Sequence, residues 1–270
     1  MNGKLIGEGR TAEIWEHKDQ TIMKLYREDV LEEHINREYT ISQFVHAQGI
    51  RTPQPFEIVT IEGRKGIIFQ QIHGPTLLKV MSEKPWRTRE YAQKLAELHY
   101  SLHKLEATQD IGQQKEMLRG CIIKAPMLTG AEKSTILTHL EKLPQGKYLC
   151  HGDFHPDNVL VDGQTWVIDW MTGMVGEPAG DAARSVVMFS MGAMPPRASL
   201  ITKLMIGIVR KRLTKGYIRE YIRLSGHSNV EIDRWILPVA AARLVEWLPL
   251  QEKEQLVKEI RKRLQSIPAS

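Results

Sequence analysis

Short stretches of alternating apolar and polar residues dominate the first part of the chain and predict strands. Residues 5–16 alternate on both sides of a glycine-containing turn, and residues 21–26 follow after a short connection. Residues 56–61 and 66–72 alternate about a Gly-Arg-Lys-Gly turn. Together, these segments predict a five-stranded antiparallel sheet.

Apolar residues at helical spacing take over elsewhere. Residues 29–49 carry Ile41, Phe44 and Val45 on one face, and Gly49 and Pro53 end this helix. Residues 88–105 form a strongly amphipathic pattern, followed by weaker patterns at 113–125 and 131–143. The remainder predicts helices at 181–191, 197–213, 215–224, 230–247 and 250–267, separated by Pro195-Pro196, residues 226–229 and Pro249.

A dense polar segment, Cys-His-Gly-Asp-Phe-His-Pro-Asp-Asn, lies between these helical patterns. It places Asp153 five positions before Asn158, and Asp169 follows an apolar strand. The Asp-Gly pair at residues 162–163 is a strong hairpin signal, so the intervening strands should fold Asp169 back beside Asn158.

This spacing suits transfer of a phosphoryl group. The reaction needs a carboxylate that reaches the attacking hydroxyl, for which we select Asp153. It also needs oxygen ligands for Mg²⁺, and Asn158 with Asp169 would supply an amide and a carboxylate. The simpler interpretation is a turn whose Asp and Asn side chains bond only to nearby backbone, but three spaced elements around one hairpin favour the chemical interpretation.

A lone lysine interrupts the apolar third strand. Lys24 therefore needs an anionic partner. Gly7 and Gly9 lie in the turn before this strand, where glycine would allow the backbone to approach phosphate oxygens. A Gly-x-Gly pair is weak by itself, because Ala12 replaces the third glycine of the Gly-x-Gly-x-x-Gly pattern.

The loop His-Gly-Asp-x-x-x-x-Asn followed by Ile-Asp-Trp resembles the aminoglycoside phosphotransferase-like small-molecule kinases. The resemblance covers about the first 185 residues, through a Gly-Glu-Pro-Ala-Gly-Asp segment that ends at Asp181. It implies an α+β, protein-kinase-like, two-lobed fold. Its nucleotide-binding lobe would span residues 1–73, and its mainly helical catalytic and substrate-binding lobe residues 74–270.

The resemblance also implies roles for individual residues. Lys24 would contact the nucleotide phosphates, braced by Glu38, although Glu32 or Glu33 could replace Glu38. Adenine would bind backbone near Gln71 and Ile72, which leaves ATP and GTP undistinguished. The full predicted site comprises catalytic Asp153, Mg²⁺ ligands Asn158 and Asp169, and cofactor-binding Gly7, Gly9, Lys24, Glu38, Gln71 and Ile72.

Neighbouring polar residues are assigned supporting roles. His151 would orient the loop, His99 and His103 are expected to be buried structural residues, and Asp181 would cap a helix and brace the loop, as its counterpart does in the family. His155 is left out of the site. Met171 occupies a position where many relatives carry an acid, which removes one further carboxylate that could bind metal.

Composition places the chain among globular proteins, with 42% hydrophobic and 26% charged residues. No uncharged run approaches the roughly 18 residues of a membrane helix, and the start lacks the features of a signal peptide. Two cysteines give no disulfide framework, so we expect a cytoplasmic protein. Basic runs at residues 210–212 and 261–263 are typical of solvated helix faces rather than of nucleic-acid binding.

Charge also bears on the phosphate acceptor. Residues 182–270 contain 16 Lys or Arg and 7 Asp or Glu, a formal charge of +9. Aminoglycosides are polycations and need acidic sites, so we expect a small sugar, amino-alcohol or amino-acid derivative instead. Two alternatives to such a kinase are a non-catalytic nucleotide-binding scaffold and a kinase for protein side chains. The retained lysine and acids argue against the first, and the lack of an Ala-Pro-Glu-like motif argues against the second.

Overall fold

The structure is a computed structural model that describes residues 3–107, 111–192 and 199–266. The predicted α+β class is confirmed in these residues. The chain divides into unit 1, which comprises Met1–Val80 and Pro156–Gly173, and unit 2, which comprises Met81–His155 and Met174–Ser270. The predicted lobes, residues 1–73 and 74–270, remain a proposal. The compact units differ from these lobes because residues 74–80 and 156–173 belong to unit 1.

Unit 1 contains the predicted antiparallel sheet, in the order β1-β2-β3-β5-β4. Its strands follow the alternating segments of the sequence closely, because each has one apolar face to bury. They are β1 (Leu5–Glu8), β2 (Ala12–Glu16), β3 (Thr21–Tyr26), β4 (Pro55–Ile61) and β5 (Arg64–Gln70).

Side chains on the two faces of the central strand β3 pack into two different apolar clusters. Met23 and Leu25 pack with Ile68 on one face of the sheet. Tyr26 packs on the other face with residues that include Ile35 of helix α1 (Glu32–Ala47). Lys24 lies two positions from Tyr26, so it shares the face that α1 covers.

The predicted hairpin is also present in unit 1. Strand β7 (Val159–Asp162) pairs with β8 (Gln164–Val167), and Gly163 at the tip has a φ of 61°. The hairpin is joined to the first part of unit 1 by backbone hydrogen bonds from Val161 to Pro75 and from Val167 to Arg51. These bonds, made by segments far apart in sequence, explain why residues 156–173 group with unit 1.

Unit 2 is mainly helical, as predicted. Its helices are α3 (Thr88–Leu102), α4 (Gln114–Lys124), α5 (Gly130–Glu141), α6 (Pro178–Met191), α7 (Leu200–Ser225), α8 (Asn229–Ala242) and α9 (Leu250–Leu264). A short pair that the sequence analysis did not predict, β6 (Tyr148–Cys150) with β9 (Met174–Gly176), flanks the polar loop along the chain. Helix α2 (Leu77–Glu83) crosses the boundary between the units. No helix in the described ranges is long and apolar enough to cross a membrane.

The prediction of two helices at 197–213 and 215–224 is wrong, because α7 is continuous from Leu200 to Ser225. Thr214 does not interrupt it, since its hydroxyl donates to the Arg210 carbonyl within the helix at 2.9 Å. Gly216 is buried where α7 packs on α3, and a Cβ there would lie 2.8 Å from the Cβ of Ala92. This glycine permits close packing rather than ending the helix.

Two other helix boundaries differ from prediction. The pattern at 230–247 is the helix α8 followed by a 3₁₀ turn, Arg243–Val245, after which Glu246 is extended. The side chains of Arg243 and Glu246 form ion pairs, which apolar periodicity does not report. The predicted break at Pro195-Pro196 and the predicted helix end at Ile267 lie outside the described residues.

The two glycines of α7 provide a test of this packing. Gly207→Ala should raise the free energy of unfolding by up to about 1 kcal/mol, since alanine favours helix and nothing lies within 4 Å of the added Cβ. Gly216→Ala should lower it by about 1–3 kcal/mol, because the methyl group overpacks against Ala92. Urea denaturation of both variants measures the difference, and stabilisation by both would contradict the close packing of α7 on α3.

Candidate active site

Lys24 is the centre of a buried charged cluster in unit 1. It lies on β3 between Ile14 of β2 and Ile67 of β5, and only 9% of its surface is exposed. Its Nζ donates to Glu38 Oε1 at 2.6 Å and to Asp169 Oδ1 at 2.9 Å. The anionic partner that the lone lysine required is therefore a pair of carboxylates.

Glu38 reaches Lys24 because it belongs to the buried stripe of α1. It lies three residues from both Ile35 and Ile41, which face the core. Its second oxygen, Oε2, accepts a hydrogen bond from the Tyr26 hydroxyl at 2.7 Å. Of the alternatives, exposed Glu32 pairs with Lys65, and Glu33 lies 3.8 Å from the exposed ring of His34. The predicted pairing of Lys24 with Glu38 is confirmed, whereas its role in nucleotide binding remains a prediction.

Burial and charge compete within this cluster. Burial disfavours the Lys24 ammonium, but the carboxylates of Asp169 and Glu38 outweigh it and raise the pKa of Lys24. Burial raises the pKa of the Glu38 carboxyl, an effect that the ammonium of Lys24 opposes. With all three groups ionised, two carboxylates share one ammonium, and the cluster keeps one excess negative charge that a cation could neutralise.

Asp169 is brought to the cluster by the hairpin and by the turn that follows it. The Ile168 N–H donates to the Asn158 carbonyl at 3.0 Å. The backbone of Asp169 therefore lies near that of Asn158 in space, as predicted. Trp170 is buried, and its indole N–H donates to the Thr52 hydroxyl at 3.0 Å, which anchors the turn.

The backbone of Asp169 is in a conformation that side chains rarely adopt, with φ 68° and ψ 70°. Such a conformation costs on the order of 1–3 kcal/mol and persists where surrounding contacts impose it. Here the buried Trp170 follows directly, and the carboxylate is held by Lys24. The strained residue is one of the two predicted metal ligands.

The predicted metal ligands have suitable chemistry for Mg²⁺. The Asp169 side chain is 39% exposed, so its carboxylate can face both Lys24 and a ligand. Asn158 is buried within the same unit and offers an amide oxygen. Hard oxygen donors of this kind suit Mg²⁺, and the excess negative charge of the cluster favours a cation.

Gly7 lies in β1, and Gly9 begins the connection between β1 and β2. Neither has a positive φ, and a Cβ on either would meet its nearest neighbour at 3.5 Å, an ordinary contact. The Gly9 N–H donates to the Ala12 carbonyl at 2.8 Å and closes the turn. The fold of the turn thus does not itself require glycine at these positions, which is consistent with the predicted close approach of a ligand.

Gln71 and Ile72 follow the end of β5. The Gln71 N–H donates to the Gln20 carbonyl at 2.8 Å. An adenine contact at Gln71 would therefore use its carbonyl oxygen, while Ile72 remains a predicted contact. Met171, where relatives often carry an acid, packs against the apolar cluster that contains Ala12 and Tyr26.

Asp153 lies in unit 2, in the loop after β6. Its Oδ1 is 3.3 Å from Arg184 Nη2, and its Oδ2 is 3.4 Å from His155 Nε2. Burial by itself would raise the pKa of Asp153, but His155 and Arg184 hold this pKa well below its usual range. The carboxylate is thus ionised across the physiological pH range. His155, which the sequence analysis left out of the site, contacts its predicted base directly.

Asp181 of α6 supports the loop that carries Asp153. The buried Asp181 carboxylate accepts backbone hydrogen bonds from His151 at 2.6 Å and from Gly152 at 2.9 Å. His151 Nδ1 in turn accepts from the Asp153 N–H at 3.2 Å, a contact of the kind that its predicted orienting role requires. Bracing by Asp181 is confirmed, but Glu177, not Asp181, is the residue at the helix N-cap position.

His99 and His103 complete this brace and are buried, as predicted. Their Nε2 atoms lie 3.0 and 3.2 Å from Asp181 Oδ2, and their Nδ1 atoms bond to the hydroxyls of Tyr217 and Tyr221. The spacing of the two histidines and Asp181 could suit a metal ion. Each ring nitrogen already has a hydrogen-bond partner, however, and burial lowers the pKa of His99 to about 3, so we assign a structural network.

Three residues in these sites were missed by sequence reasoning. Tyr26 could have been found, since it lies two positions after Lys24 on the same face of β3. Arg184 had a weaker signal, as a charged residue within the apolar segment of α6. Glu246, whose Oε1 is 2.8 Å from Arg184 Nη1, had none, because it lies 62 positions further along the chain.

Comparison with known proteins agrees with this arrangement. Residues 2–206 match the family described as the phosphotransferase enzyme family, APH. Comparison with curated proteins gives no match.

Among solved structures, a thermostable mutant of the aminoglycoside phosphotransferase APH(4)-Ia is similar, with a TM-score of 0.68 and 14% identity over 100% of this chain and 96% of that one. The APH(2")-IIa ternary complex with streptomycin and ATP has a TM-score of 0.59 and 16% identity, over 97% and 91% of the two chains. A choline/ethanolamine kinase family protein from Mesorhizobium loti has a TM-score of 0.55 and 14% identity, over 99% and 89%. At these identities the structures establish the fold.

The fold and the matched segment define a phosphotransferase that acts on hydroxyl groups of small molecules. The match includes Lys24, Glu38, Asp153, Asn158 and Asp169 and spans more than half of the chain. The chain belongs to the APH phosphotransferase enzyme family.

Glu38 and Glu32 allow a matched test of the buried cluster. Glu38→Gln should lower the free energy of unfolding by about 1–3 kcal/mol, because it removes a charged partner from the buried Lys24. Glu32→Gln, on the exposed side of the same helix, should leave stability unchanged within error. Urea unfolding at neutral pH makes the comparison, and equal stability of the two variants would exclude Glu38 as an important partner of Lys24.

Proposed function

We propose that this protein transfers the γ-phosphate of ATP or GTP to a hydroxyl group of a small molecule in a Mg²⁺-dependent reaction. The single observation that carries the proposal is the cluster of Lys24, Glu38 and Asp169 in unit 1. A buried ion pair contributes little to stability compared with apolar packing, so a strand lysine held between two carboxylates favours a ligand-binding role.

The nucleotide phosphates would be recognised by Lys24 and by the backbone around Gly7 and Gly9. Glu38 holds the lysine in place, and Tyr26 holds Glu38. Asn158 and Asp169 would hold Mg²⁺, whose charge would neutralise phosphate oxygens. A related phosphotransferase was solved with ATP, which supports nucleotide use but leaves ATP and GTP as alternatives here.

Asp153 would accept the hydrogen bond of the attacking hydroxyl. Because His155 and Arg184 hold its pKa well below the usual range, it is a weak base, better suited to orienting the hydroxyl than to removing its proton early. Phosphoryl transfer tolerates this, since its transition state needs positioning and charge stabilisation more than strong base catalysis.

The acceptor would be a sugar, amino-alcohol or amino-acid derivative rather than a polycationic antibiotic. Glu246 and Glu252 are linked to Asp153 through ion pairs with Arg184 and Arg243, so both acids already have arginine partners. Acids elsewhere in the late helices have other partners: Glu220 pairs with Arg223, while Asp233 and Glu259 pair with Arg263. Carboxylates already neutralised by arginine offer a polycation little attraction.

The role of Asp153 can be tested by Asp153→Asn. We expect turnover to fall by about 10² or more with nucleotide affinity retained, because the change removes only the group that orients the hydroxyl. Asp162→Asn, an exposed change in the hairpin turn, is the control and should keep turnover, since Asn-Gly also forms tight turns. Steady-state rates of ADP release provide the measurement, and full activity of the Asp153 variant would remove this residue from the mechanism.

The role of Asp169 can be tested by measuring how much nucleotide and Mg²⁺ raise the thermal unfolding temperature. Wild-type protein should gain thermal stability from nucleotide with Mg²⁺, beyond that from nucleotide with EDTA. In Asp169→Asn this difference should largely disappear, because a metal ligand and one carboxylate partner of Lys24 are lost. A Mg²⁺-dependent shift of wild-type size in the variant would contradict the assignment.

The acceptor class is tested by a coupled ADP-release screen. We expect turnover with members of the sugar, amino-alcohol or amino-acid group, and little with kanamycin-type polycations. Efficient phosphorylation of those antibiotics, or resistance conferred on a susceptible host, would overturn the acceptor assignment without affecting the kinase proposal. Failure of all hydroxyl compounds would instead favour the scaffold alternative.

A further inference from the structure

A network of charged side chains, alternately acidic and basic, extends from Asp153 to α9 in unit 2. Arg184 of α6 lies between Asp153 and Glu246, with Nη2 3.3 Å from Asp153 Oδ1 and Nη1 2.8 Å from Glu246 Oε1. Arg243 Nη2 then lies 3.5 Å from Glu246 Oε2 and 3.1 Å from Glu252 Oε1. Five charged side chains of alternating sign thus connect the loop to α9.

The two arginines of this network are largely buried, whereas Glu246 between them is partly exposed. The side chains of Arg184 and Arg243 are 15% and 6% exposed, and Glu252 is buried as well. In the described part of the protein, Arg184 Nε and two nitrogens of Arg243, Nε and Nη1, have no hydrogen-bond partner. Buried guanidinium groups with unused donors cost stability, and apolar residues of similar volume often replace such networks without loss.

The network also extends beyond the part of the chain that matches the family. The match ends at residue 206, whereas Arg243, Glu246 and Glu252 follow it. Asp153 and Arg184 lie inside it. The segment between α8 and α9 therefore contacts the loop aspartate indirectly, because Glu246 pairs with Arg184 and Arg184 pairs with Asp153. Stability alone does not explain this arrangement.

We propose that Arg184, anchored by Glu246, is a positioning residue that fixes the carboxylate of Asp153 in the orientation that meets the acceptor hydroxyl. Arg184 spans two carboxylates with its two terminal nitrogens, a fork geometry that lysine cannot reproduce. Glu246 is itself held by Arg243, which Glu252 holds. The position of the loop aspartate thus depends on helices that contribute nothing to the recognised motif. This inference rests on the proposed role of Asp153.

Several titratable side chains act on Asp153. His151 and His155 come from its own loop, Arg184 comes from α6, and Arg243 lies further away beyond Glu246. The opposing charges of Asp153 and Glu246 raise the pKa of Arg184 despite its burial, so Arg184 stays charged. Its removal should therefore raise the pKa of Asp153, because burial remains and its nearest permanent positive charge is lost.

The test reads Asp153 directly, without an acceptor. Full-length protein labelled with ¹³C at aspartate carboxyls is titrated by NMR, and the Asp153 signal is identified by its loss in Asp153→Asn. In wild-type protein the signal should not titrate down to the pH of acid unfolding. In Arg184→Gln the pKa of Asp153 should rise, so that its signal titrates at a higher pH than in wild-type protein. Arg184→Met repeats the measurement if the glutamine variant does not fold.

The matched control is Arg263→Gln. Arg263 also bridges two carboxylates in unit 2, Asp233 at 2.9 Å and Glu259 at 2.7 Å, but belongs to a separate network. This variant should leave the Asp153 signal unchanged. An unchanged signal in both Arg184 variants would overturn the proposal, as would an equal change in the Arg263 control.

A kinetic measurement separates positioning from nucleotide binding. With an acceptor from the screen, or with water as acceptor in slow Mg²⁺-ATP hydrolysis, Arg184→Gln should lower kcat by about 10- to 100-fold with the KM for nucleotide unchanged. The acid limb of its pH profile should move to higher pH, and Arg184→Lys should restore that limb but not the full kcat. An unchanged kcat in an active enzyme would refute positioning. If the protein has no phosphotransfer activity, the proposed function fails, and the NMR titration still decides the contact.

Discussion

The ion pair between Lys24 and Glu38 is the interaction on which the candidate nucleotide site depends. Lys24 cannot be buried on the central strand unless a carboxylate meets it, and Glu38 can meet it only because α1 packs its apolar stripe against that face of the sheet. Asp169 reaches the same ammonium because the β7–β8 hairpin belongs to unit 1. Three segments far apart in sequence thus converge on one charge.

Unit 2 also has buried polar groups that need partners, and there a carboxylate accepts hydrogen bonds from backbone N–H groups. Its polar loop contains backbone N–H groups that need partners, and the buried carboxylate of Asp181 accepts two of them while two histidines hold that carboxylate. Asp153 is left with charged neighbours that keep it ionised. In both units buried acids are retained where apolar residues would pack more simply, which is typical of sites under functional constraint.

Much of the fold followed from the sequence because its signals are local. Alternation located the strands, and Asp-Gly located the hairpin that brings the Asp169 backbone to Asn158. The predicted interruption at Thr214 was wrong, because α7 is one continuous helix whose buried face packs on α3, for example at Gly216 against Ala92. Glu246 could not be predicted, since its contact with Arg184 depends on how α6 and α8 pack rather than on any spacing along the chain.

The central claim is that the charge of Lys24 is retained for a nucleotide, and isothermal titration calorimetry of Lys24→Met with Mg²⁺-ATP and Mg²⁺-GTP tests it most directly. Circular dichroism should first establish that the variant is folded, because methionine fills the space of the lysine stem but leaves buried Glu38 without its ammonium partner. The account predicts that wild-type protein binds at least one of the two nucleotides and that the variant loses most of that affinity. Binding of wild-type strength by a folded Lys24→Met variant would contradict it.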